Sequence, residues 1–412
     1  MLTIAAIPKL LLVAGLLGLV CSSIYCAFVL VTAAGFLRRR RLFAAQSRNF
    51  FPVLSLLKPL HGEEPELESR LKGFFEQDYP NYEILFCARD HADPGLRLAR
   101  RVAQLYPQVP VQFLTTGEPA YNNAKVSSLE LMGAAAKSDI FIISDSDVRV
   151  SPTYLREVAA PFADPNVGLV TCLYRGVAQG KSLWSRLEAT AMSIEMAGGV
   201  LVAEWIEGMH FALGPTMAVR RASVEEIGGF GSLGRYCADD FVLGNRIAAN
   251  GHKVVLSQHV IDHIVLNEGF LQSIKHQVRW MKSTRFSRPK GHVGTALTFS
   301  VPFGVIAFLS AVVLGMPALG VAALAWSIIS RMLLAAAVGG AVVRESNLLR
   351  TVLLYPLRDL MGFAFWVASY ASNQILWRGE VFELLPNGVM RRYIHESVSN
   401  PIGEETLLPP RV

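Results

Sequence analysis

The sequence predicts an α/β domain, a parallel sheet covered by helices, held between membrane-embedded segments at its N- and C-terminal ends. Two observations predict it. From Phe51 onward, short apolar runs of strand length alternate with amphipathic stretches of helical spacing, the pattern of a wound α/β sheet. The 52% hydrophobic content of the 412 residues is also unevenly spread: residues 7–37 and 293–377 hold the excess, while the middle reads as water-soluble sequence.

Taken in order, residues 7–37 carry a single charge, Lys9, and exceed the roughly 20 residues needed to cross a hydrocarbon core. Their length, and the lack of a basic start, favour an anchor over residues 1–37 and disfavour a cleaved signal peptide. Arg38, Arg39, Arg40 and Arg41 follow directly, so the positive-inside rule places the domain at 38–292 in the cytoplasm. Strands are expected at 52–57, 82–87, 111–114 and 140–143, with helices at 63–75, 96–105 and 125–136 between them. Further strands are expected at 167–171 and 216–219, and a long helix at 183–205 with Gly198-Gly199 as its weak point. A helix starts at Asp239 and stops at Asn250-Gly251. Gly228-Gly229-Phe230-Gly231 lacks the setting of a phosphate loop and reads as a mobile connector over an acceptor site.

In the membrane region, 293–377, Pro317 divides the sequence into about two spans, with Arg331 inside the second. The apolar stretch 351–376 contains Arg358 and Asp359 and leads to Arg378, Arg391 and Arg392 in a cytoplasmic tail, 378–412. With basic residues on both flanks, a re-entrant or interfacial hairpin with Arg358 paired to Asp359 is expected there. The net charge of +6 comes with basic clusters beside apolar segments, including Lys282, Arg285, Arg288 and Lys290. That placement fits anionic lipid headgroups and gives no reason to invoke nucleic acid. Five cysteines, at 21, 26, 87, 172 and 237, show neither metal spacing nor a disulfide framework.

The chemistry is carried by acidic residues. Asp145 and Asp147 stand one residue apart where a buried strand breaks into a loop, an arrangement that suits a divalent cation, Mg2+ or Mn2+, held against a diphosphate. The plain alternative is an acidic turn after a core strand. Asp90 also follows a strand, Asp239-Asp240 opens a helix, and His276-Gln277-Val278-Arg279-Trp280 comes later. In that order these features resemble the signature Asp, Asp-x-Asp, Asp, Gln-x-x-Arg-Trp of the nucleotide-sugar glycosyltransferases, which implies a GT-A type, Rossmann-like domain. Leu56-Leu57-Lys58-Pro59-Leu60-His61-Gly62, Phe74-Phe75-Glu76-Gln77-Asp78-Tyr79-Pro80, Asp90-His91-Ala92-Asp93-Pro94 and Asn123-Ala124-Lys125-Val126-Ser127-Ser128-Leu129 narrow the resemblance to the ceramide glucosyltransferase branch. Bacterial hopanoid-associated glycosyltransferases of the same branch are similar too. The likeness runs from about Leu56 to Trp377, and one position departs from it: His276 stands where the signature has Gln or Arg.

Sugar transfer from a nucleotide diphosphate needs charge neutralisation on the leaving group, a base for the acceptor hydroxyl, and alignment of the two. Asp147, helped by Asp145, is the candidate metal ligand. Asp240 is the candidate base, because repulsion within an Asp-Asp pair raises one pKa, and Asp239 reads as a helix cap. Lys125 binds phosphate or caps a helix face. Arg279 suits the diphosphate, and Trp280 stacks in the site or anchors at the interface. The resemblance implies that Asp90 contacts the nucleotide, against the alternative of pairing with Arg89 or Arg97. His91, His210, His259 and His263 show no specific spacing.

The expected activity is therefore an inverting transfer of a hexose from a UDP-sugar to the hydroxyl of a membrane lipid, by direct displacement from an α-linked donor to a β-linked product. The rivals are a UDP-N-acetylglucosamine-dependent enzyme acting on a hopanoid, a processive polysaccharide synthase, and a non-catalytic nucleotide-sugar-binding membrane protein.

Overall fold

The structure, a computed structural model, describes residues 6–45, 50–377 and 379–393, so Arg378 and most of the expected tail lie outside the described residues. A long helix, α1 (Ile7–Ala45), leads into the domain. There β1 (Leu54–Pro59), α2 (Leu67–Phe75), β2 (Tyr82–Ala88), α3 (Pro94–Ala103), β3 (Val111–Thr115), α4 (Ala124–Ala135) and β4 (Ile140–Ser144) alternate as the sequence pattern requires. Next come β5 (Val148–Arg149), α5 (Tyr154–Ala159), β6 (Val167–Ala178), α6 (Leu183–Thr190), α7 (Ala197–Glu207), β7 (Thr216–Arg220), α8 (Arg221–Glu226), α9 (Asp239–Ala249) and β8 (Lys253–Val265). The chain closes with α10 (Phe270–Ser287), α11 (Pro289–Thr295), α12 (Val301–Val313), α13 (Pro317–Ala337), α14 (Leu348–Ala368), β9 (Gln374–Trp377), β10 (Glu380–Leu385) and β11 (Val389–Arg392).

The main sheet has the order β3-β2-β1-β4-β7-β6-β8-β5. Its first four strands are parallel, and β7 runs antiparallel to both β4 and β6. Leu54, Leu56, Leu57, Ile84, Leu85, Phe86, Ile142 and Ile143 are fully buried in adjacent strands, as expected for a sheet covered on both faces. Side-chain caps set the helix starts: Asp93 accepts from Leu96 N at 3.1 Å, and Asn123 accepts from Lys125 N at 3.1 Å. Both helices begin on the side of the sheet where β1, β2 and β4 end, and there the acidic residues gather.

Several elements differ from expectation. The helix expected over 183–205 is interrupted by a π-turn at Ala191–Met196, ahead of the glycine pair. Gly198 faces α1: an added Cβ would make ordinary contacts there, 3.4 Å from the Val29 side chain and 3.6 Å from the Tyr25 hydroxyl. Strand β8 was not expected, because its Ser257, Gln258 and His259 break the apolar pattern where the pairing with β6 shifts register. The C-terminal sheet β11-β10-β9 begins inside a stretch that composition assigns to membrane.

Four helices are long and apolar enough to cross a membrane among the described residues: Ile7–Phe43, Leu183–Glu207, Pro317–Val342 and Leu348–Ala368. A further pair, Pro289–Thr298 with Val301–Val313, is bent by 52°. Helices α1, α12 and α13 pack as a bundle, and Gly15 and Gly18 of α1 sit against Ala307 and Phe303 at distances only a hydrogen side chain permits.

Helix α14 is continuous and forms no hairpin. Just ahead of it, Arg344 O accepts from Arg175 at 2.5 Å and Glu345 accepts from Ser193. Just past it, Ser369 O accepts from Arg285, and Lys282 Nζ donates to Ser372 Oγ at 2.7 Å. Both ends of the helix are thus tied to the sheet-bearing domain.

Arg358 and Asp359 do not pair with each other. Consecutive residues on a helix point about 100° apart, so each finds its own partner: Arg358 meets Glu195 at 3.2 Å and Asp359 meets Arg331 at 3.5 Å. Asp359 Oδ2 also accepts from the amides of Ser300 and Val301 at 2.9 and 2.8 Å, which caps α12. Arg331 in turn donates to Thr298 O and Ser22 O. Asp359→Ala strands a buried guanidinium and two helix amides, so it is expected to cost about 3–5 kcal/mol. Thermal unfolding in detergent checks this, and an unchanged midpoint would show that the pair does not hold the helices together.

Candidate active site

The Asp145-Ser146-Asp147 turn is held from beneath by two cations. Lys58, at the end of β1, donates to Asp145 O and, at 3.4 Å, to Ser144 Oγ. Arg70 on α2 donates through Nε to Ser146 O at 2.9 Å and pairs with Glu64 at 2.7 Å. Burial depresses the Lys58 amine to about 7, against the pull of Asp145 and Asp147. Neither cation was singled out from sequence as a site residue; a lysine at the end of an otherwise apolar strand was the available signal.

The two carboxylates of the turn have different partners. Asp145 Oδ1 meets Lys125 Nζ at 2.6 Å, so Lys125 turns into the site and does not cap a helix face. Burial works to lower the Lys125 pKa, but Asp145 and Asp239 outweigh it and keep the amine charged. Asp145 itself is pushed up by burial, against Lys125. Asp147 Oδ2 lies 3.2 Å from His263 Nε2. Burial opposes ionisation of Asp147, yet His263 and Lys58 hold its pKa down to about 2, and His263 is raised in return despite its own burial. Asp147 Oδ1 is buried without a hydrogen-bond partner, an oxygen set to accept from something that enters the site. No group of three or more His, Cys, Asp or Glu side chains is arranged as a metal cage among the described residues.

At the head of α9, Asp239 is not a cap. Its Oδ1 accepts from Asn123 Nδ2 at 3.0 Å, which ties α9 to the start of α4. Asp240 Oδ1 accepts from its neighbour's amide, Phe241 N, at 2.8 Å. Burial first, and repulsion from Asp239 second, push the Asp240 pKa up to about 6. Gly214 lies against this carboxylate: a Cβ there would be 2.9 Å from Asp240 Oδ2. Gly214→Ala is therefore expected to displace the carboxylate and lower kcat by about 10²-fold. The thermal midpoint should barely move, and full activity of the variant would show that Asp240 tolerates displacement.

These groups face one another. Lys125 lies within electrostatic reach of Asp145, Asp239 and Asp240, and the buried Tyr174 of β6 within reach of both Asp240 and Asp147. On α10, Trp280 packs between two imidazoles, with ring centroids 4.6 Å from His276 and 6.3 Å from His263. Arg279 stacks over Trp377 at 5.9 Å and reaches the surroundings of Cys237, beside Asp239 and Asp240. Asp90 is exposed at the end of β2 and accepts from Ala92 N at 2.7 Å, while Arg89 pairs with Glu118. Gly228 and Gly229 adopt φ of 90° and 77°. They turn the chain so that Phe230 is buried against Gly133 and Phe141, which docks this connector on the core.

Glu188 escaped the sequence reading, and His263 entered it only as one of four histidines without specific spacing. Each is brought to the site by a partner far away in the chain, Asp147 for His263 and His276 for Glu188, so neither has a local signal.

Comparison with known proteins gives the chain a family. A model of the family described as Glycosyl transferase family 21 matches residues 14–390. Ceramide glucosyltransferase 1 of Caenorhabditis elegans is 23% identical over 346 residues, 82% of this chain and 73% of that protein. A ceramide glucosyltransferase of Komagataella phaffii is 34% identical over 145 residues, 33% of this chain and 28% of its own. Among solved structures, the mannosyltransferase PcManGT from Pyrobaculum calidifontis, in complex with GDP-Man and Mn2+, is 18% identical and superposes with a TM-score of 0.45 over 84% of this chain and 99% of its own.

Proposed function

Because the chain belongs to glycosyl transferase family 21, we propose that it moves a hexose from a UDP-sugar to the hydroxyl of a lipid that stays in the bilayer, with inversion at the sugar. Family and relatives make it a glycolipid-synthesising glycosyltransferase; donor, acceptor and residue roles are the content of the proposal. The relatives named for ceramide glucosylation make ceramide the first acceptor to try, and a hopanoid alcohol the second.

The observation that carries the reading is Asp240, a carboxylate with its pKa near 6, opposite the Asp145-Ser146-Asp147 turn and within reach of Lys125. The carboxylate accepts the proton of the acceptor hydroxyl as the new glycosidic bond forms. Lys125 and Arg279 supply positive charge for the departing diphosphate, and Asp90 lies where a nucleoside would rest at the end of β2. A divalent cation fits here: Asp147 Oδ1 is buried with no partner and Asp145 stands beside it, so these two carboxylates would hold it. When bound, it neutralises charge on the diphosphate. With Asp240 acting as the base for the acceptor hydroxyl, direct displacement is the consistent course. The basic residues Arg38 to Arg41, directly after the first apolar helix, support a domain on the cytoplasmic face.

The test is to incubate membranes containing the protein with a panel of UDP-sugars and extracted lipids and identify products by mass spectrometry. One β-linked sugar on a lipid is expected. Polymer products would favour the processive alternative, and use of soluble sugars with no glycolipid formed would overturn the lipid assignment.

A further inference from the structure

We propose that β11 is a positioning strand for the transfer reaction: its open edge takes residues 235–237 as a fourth strand of the small sheet and so fixes Asp240 relative to Lys125. This rests on the transferase reading above. In the order β11-β10-β9, strand β11 lies at an edge, and an edge strand presents backbone groups that its own sheet leaves unbonded. The segment just ahead of α9 takes them up. Tyr236 bridges Val389 in the antiparallel sense, Cys237 N donates to Gly388 O at 3.1 Å, and Met390 N donates to Arg235 O at 2.7 Å. Asp239 and Asp240 follow directly, so the chain enters the site from a bonded strand and not from a free loop.

The same strand reaches the start of α4. Met390 O accepts from Asn122 Nδ2 at 2.9 Å, just before Lys125 in the chain. Asn123 joins the two loops beneath it, donating from its backbone to Gly234 O at 3.0 Å and from its side chain to Tyr236 O at 3.1 Å. Strand β11 therefore spans the junction between the segment that carries the base and the segment that carries the cation for the diphosphate. Its seat is close-fitting. Cys237 and Phe286 pack on the small sheet's core of Ile375, Phe382, Leu384 and Met390, and Trp377 at the end of β9 meets Arg279. Asn387 and Gly388 turn the chain into β11 with φ of 64° and 75°, and an added Cβ on Gly388 would collide with Ser287 Oγ. Gly388→Ala thus unseats the strand far from any reacting atom, and a shift of about 1 Å at the base is enough to cost much of the rate.

The experiment uses the purified full chain in lipid nanodiscs, with kcat and donor KM for glycolipid formation measured for the wild type, Gly388→Ala, Asp240→Asn and the double variant. Gly388→Ala should lower kcat by about 10-fold or more and leave donor KM near that of the wild type. Once the base is gone its placement no longer matters, so in the Asp240→Asn background Gly388→Ala should cost nothing further. An unchanged kcat in Gly388→Ala, or the same fold-loss with and without the Asp240 carboxylate, would overturn the proposal. Should Gly388→Ala not fold, Asn122→Ala, which removes one exposed side chain, takes its place with an expected loss of about fivefold and the same two refuting results. If the wild type makes no product, the transferase reading fails separately, and hydrogen exchange followed by mass spectrometry still decides. Faster exchange over residues 235–241 in the variant supports the strand's role, and exchange equal to the wild type refutes it.

Discussion

Asp240→Asn is expected to lower transfer by about 10³-fold while UDP binding stays close to wild type. The exchange keeps the shape of the side chain and leaves its surroundings tied elsewhere: Lys125 pairs with Asp145, and Asp239 is held by Asn123. Since the acting form is ionised and the pKa lies near 6, the wild-type rate should fall as pH drops through about 6 and be level just above it. The same shift gives a control for folding. A carboxyl whose folded-state pKa is raised stabilises the fold when protonated, and that contribution is lost as pH rises through about 6. At neutral pH, then, the uncharged Asn should leave the thermal midpoint equal to or above that of the wild type. Retained turnover in a folded variant would remove Asp240 as the base.

Asp147→Asn is the second large effect, and its pattern differs. Asp147 holds a buried, unpartnered Oδ1 while Oδ2 faces His263. Replacing the carboxylate should lower transfer by about 10²-fold or more and weaken UDP-sugar binding together, with more Mg2+ or Mn2+ needed for half-maximal rate. Because its pKa is held near 2, Asp147 contributes no inflection of its own around neutral pH. A variant with wild-type affinity for the donor and an unchanged metal requirement would show that Asp147 is a structural turn residue. Comparing donor affinity in the two variants separates their roles: Asp240→Asn should bind and not react, Asp147→Asn should do neither well.

The sequence made some of this site legible and hid the rest for identifiable reasons. Strands β1 to β4 appear where apolar runs end in Lys58-Pro59, Ala88, Thr115 and Asp145, because a strand covered on both faces leaves an unbroken apolar signal. The Asp145-Ser146-Asp147 turn and the Asp239-Asp240 pair were readable because their members are neighbours in the chain. Lys58, Arg70, Glu188 and His263 were not, since each acquires its role only when the sheet folds and a distant segment arrives. Arg358 and Asp359 show the converse error: adjacency in sequence suggested a pair, and helix geometry sends the two side chains to Glu195 and Arg331. Gly198-Gly199 was read as weakness by the same local logic and turns out to face α1. Strand β8 and the β9 to β11 sheet were hidden by polar interruptions and by apolar composition, respectively.

Helix α14 touches the domain before its first turn and after its last, and its middle is locked to α12 and α13 through Asp359. A soluble fragment trimmed ahead of α12 would leave Arg175, Ser193, Glu195 and Arg285 facing water where they now have partners. The cleft is thus braced from both ends of one helix. For the lipid acceptor proposed above, such bracing sets one height at which the hydroxyl meets the base, so the reach of the acceptor's polar head beyond the bilayer would become part of what is selected.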